Sequence, residues 1–157
     1  MGVAVLVVAL AFSATLAGIK WHRADQVQAQ RDDRAALTAR AVGVATSLFT
    51  YDYRNLAATE RYLSGAATGG FAQREAAHDA AVQAQLRAAK AVGSATVKEV
   101  SVSDIADGQA TAFVVLMTHV TSTTSGSADS VAYLHLHLVE VDDAWKVDDV
   151  QNLKAAS

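Results

Sequence analysis

Hydrophobic and polar positions divide this chain into three regimes. No residue of 1–19 carries a charge, and residues 2–19 are an 18-residue run of Val, Ala, Leu, Phe and Ile relieved only by Gly, Ser13 and Thr15. A helix needs about 20 apolar residues to cross the hydrocarbon core of a bilayer, so this run predicts a transmembrane helix. From residue 24 to about residue 92 the apolar positions fall at helical spacing. From Val97 onward they alternate with polar ones, the period of a half-buried strand.

In the helical regime Leu37, Ala41, Val44 and Leu48 recur at i, i+4, i+7 and i+11, one apolar stripe on a helix over 24–50. Its polar start, 25–34, continues the membrane helix outward as a stalk. Asp52 is expected to cap a second, short helix that carries Leu56 and Leu63 and ends at Gly65. Thr68 is available to cap a third over 71–92, which buries Val82, Leu86 and Ala89 and closes at Gly93-Ser94. Four strands follow, over 97–102, 110–121, 131–141 and 144–150. The Ser/Thr/Gly-rich stretch 121–130 predicts a flexible hairpin tip, and Asp142-Asp143 a tight turn.

In the third strand Ala132, Leu134, Leu136 and Leu138 share one face, and Val131, Tyr133, His135, His137 and Val139 the other. Phe113, Leu116, Leu134 and Trp145 are the large apolar residues expected to point inward. Helices followed by a four-strand meander indicate an α+β fold, with helices packed on one face of an antiparallel sheet. The expected organisation is an anchor over 1–23, a helical stalk over 24–36 and a soluble domain over 37–157, close to the usual size of one domain.

The flanks of the apolar run favour an anchor that is not cleaved. A secretory signal wants basic residues before its apolar core, and here no basic residue precedes Lys20. Lys20, Trp21 and Arg23 have the chemistry of a membrane interface, an amphipathic ring beside snorkelling cations. Ala4, Ala11, Ala14 and Gly18 form a small-residue face on which another transmembrane helix could pack closely. Taken alone, Lys20, Arg23, Arg31 and Arg34 on the C-terminal side would keep the domain cytoplasmic by the positive-inside rule.

Charge and composition narrow the partners. The net charge is −3 without a long basic run, which argues against nucleic acid. Without cysteine, disulfides, thiol catalysis and zinc-thiolate sites are excluded. Without proline, the turns fall to Gly, Asp and Asn.

Three groups of side chains are candidates for chemistry. His119, His135 and His137 could share one sheet face as metal ligands, but no carboxylate is placed by spacing to join them, and a half-solvated polar face is the expected reading. Tyr51, Asp52 and Tyr53 carry the acid, base and donor groups of proton abstraction. Three consecutive positions point in different directions, so a helix cap flanked by aromatics is expected instead. Asp142-Asp143 with Asp148-Asp149 lacks EF-hand spacing and is expected to be solvated loop. No cofactor and no metal are expected.

The order of elements and three local patterns resemble the Mce-associated membrane proteins, accessory proteins of mammalian-cell-entry lipid importers. The patterns are Leu48-Phe49-Thr50-Tyr51-Asp52-Tyr53-Arg54, then Ala67-Thr68-Gly69-Gly70-Phe71, and Val139-Glu140-Val141-Asp142-Asp143-Ala144-Trp145-Lys146-Val147-Asp148-Asp149. The resemblance implies an NTF2-like cone outside the cytoplasmic membrane, a membrane-lipid environment for the anchor, and permease and Mce subunits of an ABC-type lipid importer as partners. It implies a non-catalytic, single-pass accessory subunit. The alternatives are a lipid-binding module using the cone as a pocket and an isomerase- or dehydratase-type enzyme on the same fold.

Overall fold

The apolar stripe of the first helical segment becomes the buried face of helix α1 (31–49), where Leu37, Ala41, Val44 and Ala45 are fully buried. The computed structural model describes residue 28 and residues 31–153, without the side chains of 77–79. These fall in two units divided between Ala35 and Ala36, and the second holds the sheet. The expected anchor, with Ala4, Ala11, Ala14, Gly18, Lys20, Trp21 and Arg23, lies outside the described residues. Among those described, no helix is long and apolar enough to cross a membrane.

After α1 come strand β1 (Tyr51–Asp52), helices α2 (Ala57–Ala66) and α3 (Gly69–Ala88), and strands β2 (Val92–Ala106), β3 (Gln109–Ser122), β4 (Gly126–Val141) and β5 (Ala144–Asn152). The strands lie in the order β1-β2-β3-β4-β5, every neighbouring pair antiparallel. The fold is therefore α+β, with a curled antiparallel sheet of five strands where four were expected. The added strand, β1, is two residues long, too short for an alternation pattern to reveal.

Turn chemistry explains the meander. Asp107-Gly108 and Asp142-Asp143 join their strands with φ of 52° and 69°, and of 52° and 57°. Two consecutive left-handed residues make the hairpin turn whose twist matches that of the strands. The β3–β4 ladder runs out to Ser122↔Gly126, so the expected flexible tip over 121–130 shrinks to the three residues between.

One face of the sheet forms the core, and its rungs are volume-matched. Ala110 lies opposite Leu138, Ala112 opposite Leu136, Val114 opposite Leu134 and Leu116 opposite Ala132. Each rung sets a large side chain against a smaller one, so the layer packs evenly beneath the helices. Trp145 and Val147 extend this layer on β5, and Leu63, Ala66 and Phe71 join it from the helical side. Phe113 was expected inward but lies on the opposite face, its ring 6.4 Å from that of Tyr133. Phe113 and Leu116 are an odd number of residues apart, and side chains in a strand alternate faces.

The helix ends also differ from expectation. Asp52 does not cap α2, whose N-cap is Leu56, and Gly65 lies inside the helix. Thr68 is the N-cap of α3 but makes no side-chain capping bond; its N–H donates to the Val147 carbonyl at 2.8 Å and ties the α2–α3 link to β5. Gly93-Ser94 does not close α3. Ala91 N–H donates to Leu86 O and Lys90 N–H to Arg87 O, the paired bonds of a Schellman ending, with Lys90 at φ 49° where glycine is usual. Lys90→Gly should therefore raise stability by about 1 kcal/mol, since an L side chain in the left-handed region costs about 1–2 kcal/mol. Chemical denaturation of the two proteins measures it, and an unchanged or lower midpoint refutes it. Beyond this ending, Thr123 donates its N–H and its hydroxyl to the Ala89 carbonyl at 2.8 and 2.9 Å, pinning the β3–β4 turn to the end of α3.

Candidate functional site

On the helical side, residues of α1, α2 and α3, together with Tyr51 and Leu56, line an open cleft of about 570 Å³. Leu48, Leu56, Leu63 and, from α3, Leu86 are the leucines of its lining. Val82 was expected in the core; it lines this cleft instead and is 46% exposed. Among the described lining residues, Glu60 and Glu75 are the charged ones. Gln83 bridges the two helices, its Nε2 donating to Glu60 Oε2 at 3.2 Å while its Oε1 accepts from Arg87 at 2.7 Å. Burial pushes the Tyr51 hydroxyl pKa up.

The sequence reading missed this cleft because it assigned the α3 stripe to the core. Ala72, Ala76, Gln83 and Leu86 recur at i, i+4, i+11 and i+14, a helical face with two small and two larger members. Among the described residues of α3, only Phe71 is buried.

Tyr51, Asp52 and Tyr53 diverge. Tyr51 turns into the cleft, whereas the Asp52 carboxylate accepts from the Arg54 backbone N–H at 2.9 Å and from the guanidinium at 2.7 Å. The same guanidinium lies 5.5 Å from the centre of the Tyr53 ring. Asp52 is thus an Asx-turn residue, with Asn55 N–H on its carbonyl at 2.9 Å. The three side chains present no common substrate position.

The histidines are also separated. His119 stands opposite Asp129, while His135 and His137 stand opposite Phe113 and Thr111. Six residues of strand, about 20 Å, separate the His119 position from that of His135. His119 Nδ1 lies 2.6 Å from Asp129 Oδ1, and its Nε2 lies 3.2 Å from Ser127 Oγ and 3.3 Å from Thr121 Oγ1. The order of groups is that of a serine nucleophile site, but the His119 and Asp129 side chains are 50% and 73% exposed. Water screens such a pair, and it serves as a cross-strand clamp beside the turn. His137 Nδ1 lies 3.7 Å from Asp148 Oδ2, a carboxylate that spacing did not disclose. Among the described residues no three metal-ligating side chains converge.

Asp148 and Asp149 belong to β5, within the strand expected over 144–150, and not to the solvated loop expected of them as an acidic pair. A bulge after His137 shifts the register there. The Asp148 carboxylate packs against Gly69 at the start of α3, and Asp149 pairs with Arg74 one turn into that helix. Hydrogen bonding from Gln151 first, and then from Arg74, holds the Asp149 pKa below its ordinary 3.8. The Arg54 guanidinium, then the Arg54 N–H, does the same for Asp52. A depressed carboxyl stabilises the fold fully above its unfolded value and loses that contribution as pH falls through the folded one. The thermal midpoint should therefore fall below pH 4 or so, and Asp149→Asn should flatten that fall. A variant with the parent's acid profile would remove Asp149 from the account.

No family model matches the sequence, and no curated protein does. Solved structures do share the fold. An IcmL-like type IV secretion system protein from Legionella pneumophila superposes with a TM-score of 0.64 at 13% identity, over 79% of this chain and 94% of that one. The periplasmic domain of DotI superposes with a TM-score of 0.59 at 18% identity, over 77% of this chain and 95% of that one. These matches overturn the resemblance to Mce-associated proteins, together with the lipid-importer role and the permease and Mce partners that it implied. The physical reason lies in the motifs themselves. The first ends a helix in an Asx turn, the second links α2 to α3 against β5, and the third is a two-residue hairpin. Each solves a local backbone problem that this fold poses, so each reports the fold and not a family.

Proposed function

We propose that this chain is a membrane-tethered, extracytoplasmic component of a secretion assembly that spans the cell envelope, acting through protein contact and not through catalysis. The observation that carries the reading is the match to two secretion proteins over nearly their whole solved length, 94% and 95%. One of them is the periplasmic domain of its protein. The apolar run 2–19 supports the tether, and the extracytoplasmic side is supported by the likeness to a periplasmic domain, against the local count of Lys20, Arg23, Arg31 and Arg34. In this reading 1–23 is a single-pass anchor seated by Lys20, Trp21 and Arg23, 24–36 is a stalk, and 37–157 is an NTF2-like cone. Ala4, Ala11, Ala14 and Gly18 form the face on which a neighbouring membrane helix packs.

The test pairs topology with assembly. A reporter fused after Ser157 that works only outside the cytoplasm should be active, and the chain should resist carbonate extraction. Cross-linking in the native host should join it to other membrane components of one export complex, and its deletion should abolish export by that complex. Activity from a cytoplasm-dependent reporter alone, or normal export in the deletion strain, would overturn the reading.

A further inference from the structure

We infer that the C-terminal half of α3, from Ala80, is a gate on the cleft, latched by Thr123 and opening while the rest of the domain stays folded. The two ends of the helix are held by different means. At the first turn Phe71 is buried in the core and Arg74 pairs with Asp149. The N–H of Thr68, the N-cap, donates to the Val147 carbonyl at 2.8 Å, and the Asp148 carboxylate packs against Gly69. At the last turn the tie to the sheet is made by an exposed residue. Thr123 donates its N–H and its hydroxyl to one acceptor, the Ala89 carbonyl, at 2.8 and 2.9 Å. The first end is anchored by burial and charge, the second by surface hydrogen bonds.

Burial along the helix points the same way. A surface helix ordinarily buries an apolar stripe along its whole length. Among the described residues of 72–89, none is buried, and Gln83 and Leu86 are half-buried in the C-terminal half. Local opening costs least where few apolar contacts are buried and the backbone bonds face water. Lys90 adds to the bias. It holds a left-handed φ of 49° in the helix ending, a strain that is relieved when the ending unwinds. The next residue sets how the gate moves. Ala91 is buried and its carbonyl accepts from the Tyr53 N–H at 3.1 Å, so the helix cannot swing away as a rigid rod. Slack comes from unwinding 86–89, where each residue passes from a rise of about 1.5 Å to about 3.3 Å and the link lengthens by about 7 Å. That slack carries Val82 and Gln83 away from α2 and widens the cleft that they line. Ala80, Ala81 and Ala84 keep the remainder wound, alanine being the best helix former.

Hydrogen exchange read by mass spectrometry, on the full-length chain in detergent, tests this. The amides of 84–89 should exchange about tenfold or more faster than those of 73–76 and of the β3–β4 ladder. Thr123→Val removes the hydroxyl and keeps the N–H. It should speed exchange over 84–89 about fivefold, the net worth of one hydrogen bond, and leave 73–76 and the ladder unchanged. Lys90→Gly removes the strain from the closed ending and should slow exchange over 84–89 by about the same factor. The chain has no cysteine, so a single Leu86→Cys gives a second readout. Its labelling by a thiol reagent should be faster with Thr123→Val and slower with Lys90→Gly.

Equal protection along α3, or faster exchange over 73–76 than over 84–89, would overturn the inference. So would a Thr123→Val variant that speeds exchange equally through the sheet, since Thr123 would then support the whole fold and latch nothing. Exchange over 84–89 that ignores Lys90→Gly would mean that the ending stays wound as the helix moves, which overturns the mechanism of opening. Thiol labelling of Leu86→Cys that is indifferent to Thr123→Val would mean that the cleft stands open without a gate.

Discussion

Leu136→Ala is expected to cost about 2–5 kcal/mol, the usual penalty for truncating a fully buried leucine. Leu136 is the large member of its rung and Ala112 the small one, so the variant leaves two alanines face to face. The rung arrangement makes a sharper prediction than the single variant. Ala112→Leu alone should cost about 1–3 kcal/mol through overpacking. The double variant, which moves the leucine across the rung, should be less destabilised than the sum of the two. Denaturant unfolding of all four proteins decides it, and additive losses would show that the rungs are not volume-coupled.

Gly93→Ala should destabilise by about 2 kcal/mol or more, because the added carbon has nowhere to go. A Cβ at Gly93 would stand 2.6 Å from the Phe49 carbonyl oxygen and 2.7 Å from the Tyr51 ring. The first of these is backbone at the end of α1, and it cannot swing aside. Relief requires β1 to part from β2, and Tyr51, the β1 partner of Gly93, also lines the cleft. Gly65→Ala is the matched control. Nothing lies within 4 Å of its Cβ, and its place inside α2 favours alanine by about 0.5–1 kcal/mol. Opposite signs for the two glycines are expected in thermal melts, and equal signs would refute the account.

Periodicity carried the central elements. The stripe from Leu37 to Val44 and the alternation from Ala132 to Leu138 were legible because each faces a single core with an unbroken period. Strand ends were harder. β2 begins at Val92, five residues before the expected start, because Gly93, Ser94 and Thr96 carry no apolar signal yet complete a ladder with β3. Asp107-Gly108, a strong hairpin dipeptide, marks the β2–β3 turn and was passed over.

The site was less legible than the fold. The α3 stripe is weak in apolar residues, and its use as one wall of a cleft depends on where α2 lies, which spacing along one helix does not encode. The placement of Asp148 and Asp149 against Gly69 and Arg74 depends likewise on a bulge in β5. The family resemblance failed for a related reason, since short motifs shaped by turns recur wherever the same turns are needed.

Because the strands lie in the sheet in their order along the chain, each can pair with its predecessor as soon as it is available. From β2 to β5 such neighbouring pairings keep loop closures short, which favours rapid folding, whereas β1 reaches β2 only across α2 and α3. One link breaks that order. Ala67 and Thr68 find their partner only at Val147, 79 residues from Thr68, so the hinge between α2 and α3 is locked only after the last strand arrives. A chain threaded across a membrane from its N-terminus would thus leave the link between α2 and α3 unlatched until β5 had crossed.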